Sequence, residues 1–207
     1  MSVFDSQDGI YYPSDKEVVS ISPVSSLNSA YSSWWWDYYN GFKEPVSIGI
    51  KLSTENDDEI VGTSHGDFIN GLVGDDVING LDGDDVILGG LGNDILTGGE
   101  GDDLFIFEQQ FNDNDIDTIT DFVIGTDKID LTDILQDDSS PLTVDDFLAG
   151  MSAVENNGNI ELHIVEGGNE QTIILENISQ SDLGLSGASS SEIVSELFFR
   201  NVFNTDY

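Results

Sequence analysis

Aspartate returns at every ninth residue through the middle of this 207-residue chain, at Asp58, Asp67, Asp76, Asp85, Asp94 and Asp103. A regular row of carboxylates suits hard cations, because Ca²⁺ takes its oxygen ligands from carboxylates and backbone carbonyls together. Counting blocks of nine from Ser53, glycine stands first at Gly62, Gly71, Gly80, Gly89 and Gly98, and fourth at Gly74, Gly83, Gly92 and Gly101. Glycine in the first and fourth places is expected to let the backbone take positive φ, so that its carbonyls turn inward beside the carboxylate. A Gly/Asp-rich loop without metal fails on electrostatics. No Lys or Arg occurs between Lys51 and Lys128 to neutralise the stacked carboxylates, and like charges in close rows repel.

The elements that must hold these turns follow from the same period. The eighth place of each block is apolar throughout: Ile60, Ile69, Ile78, Ile87, Leu96 and Phe105. Alternation around it makes a short strand with one side chain inside and its neighbours outside. One block cannot bury that residue alone, whereas stacked blocks can, which predicts an all-β fold, a parallel β-roll or β-helix over residues 53–106. A roll with two blocks to a coil would set alternate blocks on opposite sheets. The outer face of one then carries Phe68, Asn70, Val86, Leu88, Leu104 and Ile106, and that of the other Glu59, Val61, Val77, Asn79, Ile95 and Thr97. The first face is expected to be covered, by an aromatic N-terminal segment or by the C-terminal part, since a contiguous apolar patch rarely stays bare.

GGLGNDILT from Gly89 and GGEGDDLFI from Gly98 resemble the glycine-rich nonapeptide of the RTX proteins, G-G-x-G-x-D-x-U-x. The resemblance implies a right-handed roll in which two blocks make one coil and each Ca²⁺ lies between turns two blocks apart. Carried over by residue, it pairs Asp58 with Asp76, Asp67 with Asp85, Asp76 with Asp94, and Asp85 with Asp103. Backbone from Gly71, Gly74, Gly80, Gly83, Gly89, Gly92, Gly98 and Gly101 completes up to four calcium sites. The first block departs from the pattern at Ser53 and Asn56, and the second at His65 and Gly66.

The chain holds 41 acidic and five basic residues, a formal charge of −36. Nucleic acid is excluded as a partner, because it needs a cationic surface, and anionic membranes are disfavoured for the same reason. Without metal the acidic repeats are expected to repel one another and stay unfolded, so that metal and fold appear together. There is no cysteine, hence no disulfide and no thiolate site. The amino terminus, MSVFDSQDGIYYPSDKE, has neither a basic start nor an apolar stretch, so a cleaved signal peptide is not expected.

Residues 1–50 form a Ser- and Pro-containing segment with an aromatic run at Tyr31, Trp34, Trp35, Trp36, Tyr38, Tyr39 and Phe42. It reads as a cap on the roll, with a stacking platform for polysaccharide as the alternative. Residues 107–183 are expected to be a β-rich cap with one short helix. Strands are expected over Asp117 to Val123 and Asp127 to Leu131, a helix from Thr143 to about Asn156–Gly158, and a hairpin over Asn159 to Val165 and Gln171 to Leu175. The run Asp121-Phe122, Gly125, Asp127 and Ile129-Asp130-Leu131 resembles the segment after the repeats in type I secretion substrates. The tail, 184–207, ending Leu197-Phe198-Phe199-Arg200-Asn201-Val202-Phe203, is similar to their uncleaved export signal. That resemblance implies a secreted, extracellular protein handed to a type I transporter. A monomer is expected.

Catalytic patterns fail on context. Gly62-Thr63-Ser64-His65-Gly66 fits G-x-S-x-G, but a nucleophile elbow needs a helix next, and here another nonapeptide strand follows. His65 and His163 are the only histidines, too far apart for an H-E-x-x-H zinc site. Asp113, Asp115 and Asp117 begin like an EF-hand loop, yet Thr118 and Ile124 stand where that loop needs Gly and Glu. No enzyme activity is expected; the second reading is the C-terminal part of a split enzyme or toxin.

Overall fold

Each nonapeptide contributes one short strand, and successive strands go to opposite sheets. The computed structural model describes residues 3–4, 11–12, 19–20, 49–107, 115–131, 144–166 and 169–204. Strands β1 (Val3–Phe4) and β2 (Tyr11–Tyr12) pair antiparallel. Sheet one consists of β3 (Val19–Ser20), β4 (Gly49–Leu52), β6 (Asp67–Asn70), β8 (Val86–Leu88), β10 (Leu104–Ile106) and β12 (Lys128–Asp130) in that spatial order. All its pairs are parallel except β3 with β4. Sheet two runs β5 (Glu59–Val61), β7 (Val77–Asp82), β9 (Ile95–Glu100), β11 (Ile116–Ile119) and β15 (Asn169–Leu175) in parallel. It ends in the antiparallel β14 (Asn159–Glu166) and β13 (Met151–Asn156).

The eighth-place column is the core. Ile60 pairs with Ile78, Ile78 with Leu96 and Leu96 with Ile119 on sheet two; Ile69, Ile87, Phe105 and Ile129 pair in sequence on sheet one. All are buried. Both columns run one coil past the nonapeptides, because Asp117-Thr118-Ile119 and Asp127-Lys128-Ile129 keep the Asp-x-apolar spacing after the glycines have gone. The parallel roll with a β-rich cap is the fold expected from the repeats.

The cap shares this core. Helix α1 (Val144–Gly150) precedes β13, and helix α2 (Ser190–Phe199) follows the hairpin. Ser189 and Glu192 form a reciprocal capping box at the start of α2, satisfying two donors that a helix start leaves open. Ile193, Val194 and Leu197 of α2, with Val202 and Phe203, are buried in the same cluster as the roll, and Phe203 bridges to Ile129. Among the described residues no helix is long and apolar enough to cross a membrane.

Two expectations change. The helix begun near Thr143 stops at Gly150, not near Asn156–Gly158. Met151 and Ala153 are buried while Ser152 and Val154 are exposed, a two-residue alternation that pairs with β14 instead. Asn157 (φ 54°) and Gly158 (φ 83°) are then the hairpin turn, the Asn-Gly pair that tight hairpins favour. The N-terminal cap with its aromatic run, and the N-cap at Thr143, lie outside the described residues.

Positive φ falls on the second and fourth places of the blocks, not the first. Gly74, Gly83, Gly92 and Gly101 hold the fourth; Leu72 (φ 72°), Leu81 (φ 83°), Gly90 and Gly99 hold the second. A leucine there carries a penalty of about 1–2 kcal/mol, while glycine loses about 0.4–1 kcal/mol more chain entropy on folding. Leu72 and Leu81 are also partly exposed. Leu72→Gly and Leu81→Gly are therefore expected to stabilise the calcium-loaded protein by about 0.5–1 kcal/mol each. Thermal denaturation would read this as a higher Tm.

Candidate metal centre

The turns stack through their aspartates. The sixth-place N–H of each turn donates to Oδ1 of the aspartate one coil further on: Asp58 to Asp76 (2.7 Å), Asp67 to Asp85 (2.7 Å), Asp76 to Asp94 (2.8 Å) and Asp85 to Asp103 (2.9 Å). These are the four pairs expected from the resemblance. The rows continue from Asp94 to Asp117 (2.8 Å) and from Asp103 to Asp127 (3.3 Å), at separations of 23 and 24 residues in place of 18. Reading by a fixed period misses Asp117 and Asp127. The signal that finds them is the Asp-x-apolar spacing.

A second row clamps three of the four steps between nonapeptides from outside, in the opposite sense, Gly66 offering no side chain at the remaining one. The fifth-place N–H of the later turn donates back to the earlier one: Asp75 to Asp57 (3.0 Å), Asn93 to Asp75 (2.8 Å) and Asp102 to Asp84 (3.0 Å). The two rows differ in electrostatics. Bonds from Asn93 hold the exposed Asp75 carboxyl below its ordinary value. Burial, only partly offset by the Asp58 N–H, pushes neighbouring Asp76 up.

Burial likewise raises Asp85 to about 7, Asp94 to about 6 and Asp103 to about 7, with the next aspartates in the rows adding repulsion. Yet only one oxygen of each is satisfied. Oδ2 of Asp76, Asp85, Asp94 and Asp103 and Oδ1 of Asp67 are buried without a hydrogen-bond partner. Five orphaned acceptors in two rows, two in one and three in the other, are far from the rule that buried polar groups are bonded. The ends of the rows differ. Asp58 Oδ2 accepts from the N–H and hydroxyl of Thr54 (both 2.7 Å), Asp117 Oδ2 from Gln171 Nε2 (2.7 Å) and Asp127 Oδ2 from the Val123 N–H (2.7 Å). Asp121 sits beyond the sixth block and accepts from Gly98 (3.0 Å) and Gly99 (2.9 Å). Protein donors close Asp58, Asp117 and Asp127, whereas Asp67, first in its row, accepts from the Thr63 N–H on Oδ2 and still has Oδ1 without a donor.

The glycines show where. A Cβ on Gly71 would strike both the Gly89 carbonyl and Oδ2 of Asp76; on Gly80, the Gly98 carbonyl and Oδ2 of Asp85. On Gly89 and Gly98 it would strike Oδ2 of Asp94 and Asp103. First-place glycine is thus required by close approach of carboxylate and carbonyl. Among the described residues no three His, Cys, Asp or Glu side chains converge as a metal site, so carbonyls must supply the other ligands. Carboxylate plus carbonyl oxygens, with no nitrogen or sulfur, fit Ca²⁺. The donors would be Asp67, Asp76, Asp85, Asp94 and Asp103 with the first-place carbonyls, and the ion would supply the positive charge that the orphaned oxygens lack.

Residues 53–87, 61–96 and 80–110 match the family model for the RTX calcium-binding nonapeptide repeat in four copies. These are RTX calcium-binding repeats. The chain binds calcium through them. No curated protein matches the chain. Among solved structures, it is similar to the AlgE6R3 subunit of the Azotobacter vinelandii mannuronan C5-epimerase, at 26% identity and TM-score 0.46 over 67% of this chain and 87% of that one. It is similar to the AlgE6R2 subunit of the same enzyme at 24% identity and TM-score 0.44, over 71% and 92%. The extracellular lipase LipA from Serratia marcescens matches at 20% identity and TM-score 0.43, over 64% of this chain and 19% of the lipase.

Two other sequence candidates lie outside the RTX rows. His163 is half-buried on β14, where Nδ1 meets Glu170 at 2.8 Å. Asp115 accepts from the Gly92 N–H at 3.3 Å beside the end of one row, and Asp113 lies outside the described residues.

Raised folded-state pKa values fix the pH dependence. Asp85, Asp94 and Asp103 titrate near 6–7 when folded, against about 3.9 unfolded. The calcium-stripped fold binds more protons than the unfolded chain between those limits, so their contribution is fully present below about pH 4 and lost as pH rises through 6–7. Circular dichroism of stripped protein should therefore show β signal being gained as pH falls from 8 to 5. At saturating calcium the slope should reverse, since protons compete for the same oxygens. Gly80→Ala, which drives a methyl into the Asp85 oxygen, should reduce calorimetric calcium stoichiometry by at least one ion.

Proposed function

We propose that this is a secreted calcium-binding protein whose RTX roll folds on extracellular Ca²⁺ after export by a type I transporter, and that it performs no catalytic step of its own. The observation that carries the reading is the row of buried aspartates with one oxygen bonded and the other orphaned. Such a row is costly wherever calcium is scarce, because a buried unpaired charge is strongly unfavourable. Outside the cell, sites with affinities of ~10⁻⁴–10⁻³ M at tenfold excess calcium each contribute about 1.4 kcal/mol. Four such sites give roughly 6 kcal/mol, comparable with the whole stability of a typical domain. The loose cytosolic chain suits passage through a transporter, and ordering outside discourages return. The tail from Gly184 to Tyr207 would carry the export signal.

A calcium titration of the metal-stripped chain, followed by circular dichroism, tests the coupling. The β signal should appear in the millimolar range. Asp94→Ala should raise the midpoint about tenfold, equivalent to about 1.4 kcal/mol, and Asp113→Ala should leave it near the parent value. A chain fully structured in excess chelator at low ionic strength would overturn the reading.

A further inference from the structure

The two outer faces of the roll are not alike. On sheet two, Val61, Val77 and Ile95 are 42%, 44% and 45% exposed. On sheet one the corresponding Val86, Leu88 and Leu104 are 3%, 6% and 5% exposed, with Phe68 and Ile106 packed beside them. Val77 and Ile95 hold the same seventh place of their blocks as Val86 and Leu104, so the difference in exposure points to a cover over sheet one. Among the described residues this cluster has members only from β6, β8 and β10. The α2 helix and the hairpin belong to the other core.

Three longer internal stretches lie outside the described residues: 21–48, 108–114 and 132–143. The last two, EQQFNDN and TDILQDDSSPLT, hold five acids and no base, a poor match for an acidic roll. Residues 21–48 hold two acids, Asp37 and Glu44, against Lys43, and carry all three tryptophans with Tyr31, Tyr38, Tyr39 and Phe42. This stretch is also tethered in the right place. It leaves β3 and returns in β4, which pair at the edge of sheet one beside β6. From β4 to β10 is three strand spacings, about 14 Å, and 28 residues reach far beyond that.

We propose that the aromatic run Tyr31–Phe42 is an internal latch docked on the outer face of sheet one, over Phe68, Val86, Leu88, Leu104 and Ile106. That face is assembled only when β6, β8 and β10 are stacked, which their aspartates Asp67, Asp85 and Asp103 permit once calcium is bound; in this the inference rests on the calcium reading above. Calcium then does two things at once. It orders the roll, and it withdraws a strongly apolar segment from water. Loss of calcium exposes that segment to a partner, a surface or a protease.

The cysteine-free chain makes the test clean. A bimane fluorophore, quenched by tryptophan on contact, is placed on Ile106→Cys of sheet one and, as the comparison, on Ile95→Cys of sheet two, in the full-length protein. In calcium the Ile106 label should be at least threefold dimmer than the Ile95 label, and chelator should restore it. Trp34, Trp35 and Trp36 changed together to Phe should abolish the quenching. Equal emission from the two labels in calcium, with calorimetry still showing calcium uptake, overturns the latch and leaves the calcium reading standing, as would be found if another segment covers the face or the aromatics bind polysaccharide. Calcium uptake absent from the unlabelled parent overturns the calcium reading, and the comparison of the two labels still decides the latch.

Discussion

Stacked turns that bury a carboxylate must bring positive charge with them, and everything else in this protein is arranged around that requirement. Asp76, Asp85, Asp94 and Asp103 each accept the N–H of the turn before on one oxygen, which sets the register between coils. The other oxygen faces a glycine too closely packed for any side chain and has no protein donor. The chain has no cationic residue in the rows to fill the gap. A calcium ion held there by Asp76 and Asp85 with the Gly89 and Gly98 carbonyls would supply the missing positive charge.

The hydrophobic column cannot replace it. One apolar residue per block is enough to form a core once the coils are stacked, but it is a thin core, two side chains wide. In the C-terminal part the balance shifts. The hairpin and α2 add a larger apolar cluster to the same core, and there the acidic rows end in protein donors, Gln171 on Asp117 and the Val123 N–H on Asp127. The roll therefore passes from coils whose carboxylates would hold the metal to coils closed by protein donors and packing. The change occurs after the nonapeptide period breaks, although β11 and β12 still pair parallel with β9 and β10.

The strained second place of the blocks points the same way. Leu72 and Leu81 adopt a conformation that glycine holds in the fifth and sixth blocks. The coil geometry is imposed by stacking and by the site, and the local preference of those residues yields to it.

The repeat was legible from sequence because its chemistry is local and periodic: one carboxylate, one apolar residue and two glycines in every nine are enough to assign strands, coil and metal. The pairs Asp58–Asp76 to Asp85–Asp103 followed from the resemblance, which implies two blocks to a coil. What counting could not supply was anything that depends on contacts between distant residues. Gln171 caps Asp117 across 54 residues, and Asp127 extends a row across 24. Asn157-Gly158 turns a hairpin because β13 has a partner in β14, a pairing its own sequence does not announce. Which aspartate oxygens remain orphaned was likewise decided by folding, since the same residue type is closed by protein donors at Asp58, Asp117 and Asp127 and left with an orphaned oxygen from Asp67 to Asp103. Composition and period pointed to calcium as the ion these repeats bind; only the tertiary structure decided which carboxylate oxygens have no protein donor, because satisfaction of a buried acceptor depends on which donors the fold brings within reach.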